Sequence, residues 1–174
     1  MGFYAIDCDI ISHSVLSPGE PAYTKVVDAF GTEILTDKQV IDRKKLGAVV
    51  FANQNKRSLL ESIVHPIVID KVLKEVASAN FDYIAIDAVL LVESGLHHHC
   101  SAIWLVSAAE NERLARITAR DQLSQDAAQA RMRNQRDTSH IAKLASEIIV
   151  NDGDLEILQW QVKSAVQRLK QEEV

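Results

Sequence analysis

The stretch Phe81–Asp87, FDYIAID, decides the fold. It is a short run rich in β-branched and aromatic residues and bounded by polar ones, the pattern of a strand. Three further runs resemble it: Phe3 to Ile6, ending at Asp7-Cys8-Asp9; Ala102 to Ser107 (AIWLVS); and Glu147 to Val150 (EIIV), ending at Asn151-Asp152-Gly153. Nearly continuous apolar strands of this kind suit a parallel sheet buried on both faces.

Helical patterns with identifiable ends lie between these runs. Pro21 opens one at a position where its missing N–H costs nothing, and Gly31 closes it after Phe30. Asp42 is placed to cap Arg43 to Phe51. Asp154 is placed to cap a last helix whose Leu155, Leu158, Val162, Val166 and Leu169 form one apolar stripe. A helix from Glu110 to Arg120 follows its strand within a few residues. Strand, helix, strand order predicts an α/β fold with right-handed crossovers.

The 174 residues fit one domain. Hydrophobic residues at 47% and charged residues at 25% are enough for a buried core. With 19 Lys+Arg against 24 Asp+Glu the net charge is -5, and no long block of one sign occurs. Nucleic-acid and polybasic membrane-binding roles are therefore disfavoured. The longest central apolar run, Ala88 to Val92, is far too short to span a bilayer. The N-terminus lacks a positively charged leader, and Cys8 and Cys100 are the only cysteines, so a reducing, cytoplasmic setting is expected.

Residues 1–11, 81–120 and 146–174 are expected to form the core of this single domain. Residues 12–80 hold several helix signals and no strong strand, which predicts a helical, substrate-binding insertion after the first strand. Residues 121–145 are largely helical and polar and carry Arg131, Arg133, Arg136 and Lys143. That composition suits a lid over an anionic ligand, and equally a solvated pair of surface helices.

Several residues could carry chemistry. Asp7 and Asp9 stand two apart after the first strand, so on an extended backbone both carboxylates project from one side, toward the crevice where α/β proteins bind ligands. One could take a proton from an alcohol or hold a magnesium ion, or could cap the next helix. Arg116 and Arg120, four apart on a helix, put two guanidinium groups on one face, suited to phosphate oxygens or to surface pairs with Glu112 and Asp121. His65-Pro66 interrupts a helical region, and the lone His is weak evidence by itself. Consecutive His97-His98-His99 diverge in direction, whereas a zinc site wants separated ligand pairs. Glu93 leaves the Phe81 strand at the same crevice edge, placed to bind a hydroxyl or an amide or to cap a turn.

These motifs, taken in order, resemble the dephospho-coenzyme A kinase family. The segments are Ile6 to Tyr23 (IDCDIISHSVLSPGEPAY), Phe30 to Leu35 (FGTEIL), Ile41 to Phe51 (IDRKKLGAVVF), His65-Pro66, Leu90 to Leu96 (LLVESGL), Leu114 to Asp121 (LARITARD), Arg131 to Gln135 (RMRNQ) and Val150 to Gly153 (VNDG). The resemblance covers essentially the whole chain. It implies a P-loop kinase-like, three-layer α/β fold, a parallel sheet with flanking helices. It implies ATP-dependent phosphorylation of the ribose 3'-hydroxyl of dephospho-coenzyme A, the last step of coenzyme A synthesis, with ATP as co-substrate and Mg2+ as cofactor.

By this resemblance Asp9 is the general base and a magnesium ligand, and Asp7, Arg43, His65 and Glu93 bind dephospho-coenzyme A. Arg116 neutralises charge on the transferring phosphoryl group. It shares ATP with Arg120 and Asn151, while Arg131 and Gln135 sit on the lid. Two departures stand out. Val89 replaces a proline usual in the family. The family pattern also opens with a strand and a G-x-x-x-x-G-K-[ST] phosphate loop, about two dozen residues that would precede Met1, and none of the six glycines here is followed by Lys. The expectation is an N-terminally incomplete form of the kinase, whose activity needs that loop. The other readings are a coenzyme A-binding chain that no longer transfers phosphate, or another small nucleoside or nucleotide kinase.

Overall fold

A computed structural model describes residues 2–133 and 139–172. The chain forms two compact units, residues 1–99 and 100–174.

In the first unit β1 (Phe3–Asp7) runs parallel to β2 (Tyr83–Asp87), in register from Phe3 opposite Tyr83 to Asp7 opposite Asp87. Side chains alternate across a strand, so Ile6 is buried while its neighbours Ala5 and Asp7 are exposed. The rings of Phe3 and Tyr83 pack across the pair at 5.2 Å. β1 gives way to a helix because the Asp7 carboxylate accepts the backbone N–H groups of Asp9 and Ile10, at 2.8 and 3.1 Å, and so starts α1 (Cys8–Ser14).

α2 (Pro21–Phe30) opens on its proline and stops at Gly31, whose φ of 84° and ψ of 171° suit glycine almost alone. α3 (Arg43–Phe51) begins where Asp42 accepts N–H bonds from Lys44 and Lys45, and α4 (Gln54–Ser78) where Asn53 accepts that of Lys56. α4 is the spine of the unit. One buried cluster gathers Ile6, Ile11, Val15, Val72 and Leu96, a second gathers Val26, Phe30, Ile34, Ile41 and Leu46, and Val64 of α4 packs against both. Lys71 reaches the Ser14 hydroxyl at 3.1 Å, and the Tyr4 hydroxyl donates to Glu75 at 3.0 Å, which ties α4 to α1 and β1.

The expected interruption at His65-Pro66 does not occur, since α4 continues through Pro66. A proline inside a helix removes one backbone hydrogen bond and crowds the preceding turn. Packing of Val64, Ile67, Val68 and Val72, on either side of it, offsets that cost.

In the second unit β3 (Trp104–Ser107) runs parallel to β4 (Glu147–Val150), from Trp104 opposite Glu147 to Ser107 opposite Val150. Between them lie α5 (Glu110–Asp121), α6 (Gln125–Arg133) and α7 (Ser139–Leu144), and α8 (Leu155–Glu172) follows β4. Asp154 caps α8 by accepting the N–H of Glu156 at 2.8 Å. The Gln161 side chain both accepts from the N–H and donates to the carbonyl of Val150, at 2.9 and 2.8 Å, fixing α8 against β4. Of the expected stripe on α8, Leu158, Val162, Val166 and Leu169 are at least half-buried, and Leu155 at the first turn is exposed.

The α/β class with parallel strands and flanking helices holds. Among the described residues the strands pair two by two, and they are not buried on both faces. Val106 is 64% and Ile148 49% exposed.

Candidate active site

The first unit contains a cavity of about 380 Å³ walled by α1, α3, α4 and the segment after β2. Its floor is apolar, with Leu16, Val64, Val68, Ile69, Leu90 and Leu96. Polar groups enter from three helices: Asp9, Ser12 and His13 from α1, Arg43 from α3, and Arg57, Glu61 and His65 from α4. An apolar chamber with a few convergent charged groups is the usual build of a small-molecule site.

The expected site residues divide here. Asp9, Arg43 and His65 line this one cavity. Asp9 can do so because Asp7 fixes the first turn of α1, leaving the Asp9 carboxylate exposed on it. Asp7 is the capping residue, and neither it nor Glu93 is among the lining residues. Glu93 lies half-buried one position before Ser94, which does line the cavity. The rings of His97 and His98 lie tilted against each other, 3.9 Å between centroids, in the short 3-10 turn Leu96–His99.

Sequence reasoning passed over His13, Arg57 and Glu61. The signal for the last two was available: Arg57, Glu61 and His65 recur every fourth residue, which puts them on one face of α4. Reading His65-Pro66 as a break hid that periodicity.

In the second unit the carboxyl ends of β3 and β4 lie side by side. The Asn151 N–H donates to the Ser107 carbonyl at 2.7 Å, and that of Ala109 to the Asp152 carboxylate at 2.5 Å. α5 carries Arg116, exposed and 3.9 Å from Glu112, and Arg120, which donates to Asp121 at 2.8 and 3.1 Å. Arg131 of α6 binds the same carboxylate at 2.5 Å. The Arg120 hydrogen bonds hold the Asp121 carboxyl below its ordinary range, and Asp121 in turn raises Arg120. Both of the surface pairings that the spacing allowed are thus present. Gln135 lies outside the described residues.

A family model described as dephospho-CoA kinase matches residues 1–156. The chain belongs to the dephospho-CoA kinase family. It is 41% identical over 173 residues to a dephospho-CoA kinase of Carboxydothermus hydrogenoformans, an alignment that covers 98% of this chain and 84% of the relative. Its fold is similar to the crystal structure of TT1252 from Thermus thermophilus, with a TM-score of 0.79 and 26% identity over 97% of this chain and 85% of that one. It is also similar to dephospho-CoA kinase from Campylobacter jejuni, with a TM-score of 0.67 and 28% identity over 99% and 88%. For a dephospho-CoA kinase family member, the cavity and the arginine-bearing α5 and α6 are the two places where substrate chemistry can be sought. No helix among the described residues is long and apolar enough to cross a membrane.

Proposed function

We propose that the cavity of the first unit receives dephospho-CoA and that Asp9 is the general base for its phosphorylation by ATP. The observation that carries this reading is the unequal placement of the two neighbouring carboxylates, with Asp7 used up in capping α1 and Asp9 lining the cavity beside Arg43 and His65. In the step, Asp9 takes the proton of the ribose 3'-hydroxyl as its oxygen bonds to the γ-phosphorus. The bond from that phosphorus to the bridging oxygen of ADP breaks.

Arg116 spreads charge from the transferring phosphoryl group, Arg120 and Asn151 hold ATP, and Arg131 belongs to the lid. No Gly-Lys pair occurs in the 174 residues, so the nucleotide contacts proposed here rest on the arginines and Asn151. Mg2+ asks for one or two carboxylates and takes its other oxygens from phosphates and water. Asp9 fits that need as a single exposed carboxylate, and the described residues hold no group of three or more side chains that could cage a metal. When bound, magnesium supplies charge neutralisation on the phosphate oxygens. Two cysteines in 174 residues suit a reducing cytoplasm.

The test is to incubate the protein with dephospho-CoA, ATP and magnesium and to separate the products. Equal amounts of CoA and ADP support the reading. Binding of dephospho-CoA without turnover supports a coenzyme A-binding role in its place, and absence of binding overturns the assignment of the cavity.

A further inference from the structure

Charges of both signs line the cavity. Carboxylates come from Asp9 on α1 and Glu61 on α4, and two permanently charged guanidinium groups, Arg43 and Arg57, come from the first turns of α3 and α4. Among the described residues neither arginine forms an ion pair, with Asp9 or with any other carboxylate. Arg57 is half-buried, and its guanidinium lies over the ring of Phe51, 5.8 Å from the centroid, although Phe51 is itself 70% exposed. An arginine resting on an aromatic face is held in place while its N–H edge stays open to oxygen acceptors.

Two guanidinium groups facing an apolar chamber are costly to desolvate without a counter-charge. A ligand with two adjacent anionic groups and an apolar tail would supply both. Dephospho-CoA has that build: its diphosphate joins the adenosine that carries the reacting hydroxyl to the long pantetheine arm. The carboxylates of Asp9 and Glu61 repel the diphosphate, and the two guanidinium groups attract it. We infer that Arg57, acting with Arg43 and steadied by Phe51, is the residue that selects the diphosphate of the substrate, a role that rests on the reading of the cavity as the dephospho-CoA site. Recognition there sets which hydroxyl compounds are admitted, since an alcohol without the diphosphate leaves both charges unmatched.

Equilibrium titration of dephospho-CoA into the wild-type chain, Arg57→Gln and Arg57→Lys, at low and high salt and with melting temperatures recorded alongside, tests the inference. Losing a hydrogen bond to a charged group weakens binding by about tenfold to a hundredfold. Arg57→Gln is therefore expected to bind at least about tenfold more weakly, at an unchanged melting temperature and with less response to salt. Arg57→Lys keeps the charge and the salt response while losing the planar fork, and falls between the two. Binding by Arg57→Gln within about twofold of wild type overturns the inference and leaves the cavity assignment standing. So does a loss of affinity that comes with a lowered melting temperature and an unchanged salt response, which makes Arg57 structural. A wild-type chain that does not bind dephospho-CoA removes the cavity assignment, and this inference with it.

Discussion

The Oδ1 atom of Asp7 accepts the backbone N–H of Asp9 at 2.8 Å, so the first carboxylate of the pair fixes the peptide that carries the second. Two acids of identical chemistry thereby take different parts. Asp7 satisfies two orphan donors at the head of α1, and Asp9 is left with its carboxylate toward the cavity.

The two substitutions should separate these parts. Asp7→Ala removes the cap and is expected to cost about 1 kcal/mol of stability, seen in chemical denaturation. Asp9→Asn is expected to fold and to bind dephospho-CoA as before while turnover falls by about a hundredfold or more. Wild-type turnover in Asp9→Asn would take Asp9 out of the base role.

Among the described residues Arg116 makes only a long contact to Glu112, at 3.9 Å on an exposed face, so little stability depends on it. Arg116→Ala is expected to lower the rate of phosphoryl transfer by about a hundredfold and to leave the dissociation constant for dephospho-CoA unchanged. Pre-steady-state measurement of the chemical step, with a separate titration of each substrate, checks this. A loss confined to binding would contradict the assignment.

Gly31 closes α2 with a backbone that other residues avoid, and a Cβ there would also meet the Glu33 carboxylate. Gly31→Ala is expected to destabilise by about 1–3 kcal/mol. Adding Glu33→Ala should recover little of that loss, because the strain lies in the backbone and the Glu33 side chain can swing away. Full recovery in the double variant would assign the cost to the side-chain clash.

Glu147 on β4 receives two hydrogen bonds from Arg168 on α8, at 2.5 and 2.8 Å, and these hold its carboxyl below the usual glutamate range. A carboxyl whose folded pKa is depressed stabilises the protein above its unfolded value and loses that contribution as pH falls through the folded one. Glu147→Gln is therefore expected to melt below wild type at pH 7, with the gap closing as pH drops through the acid range. A gap that persists unchanged at low pH would show that packing, not charge, is what the substitution removes.

Much of the fold was legible because its signals are local. The caps Asp42 and Asp154, the opening Pro21 and the closing Gly31 each satisfy or shape backbone within a few residues of themselves, and the helices begin and end where they stand. The end of β1 and the start of α1 were readable in the same way once Asp7 was allowed to be a cap. Pro66 misled for the opposite reason. Its local preference is to break a helix, but contacts to two buried clusters from far along the chain outweigh that preference.

The sequence by itself determined the parallel α/β class and the motif order that marks the kinase family, since both depend on residue type and short spacing, and the resemblance carried by those motifs pointed to Asp9, Arg43 and His65. Only the tertiary structure decided that Asp9, Arg43 and His65 line one cavity, that Arg57 and Glu61 join it, and that Arg131 of α6 reaches Asp121 of α5. Those outcomes turn on how separate helices are brought together, and a cavity wall built from α1, α3 and α4 has no counterpart in any one stretch of chain.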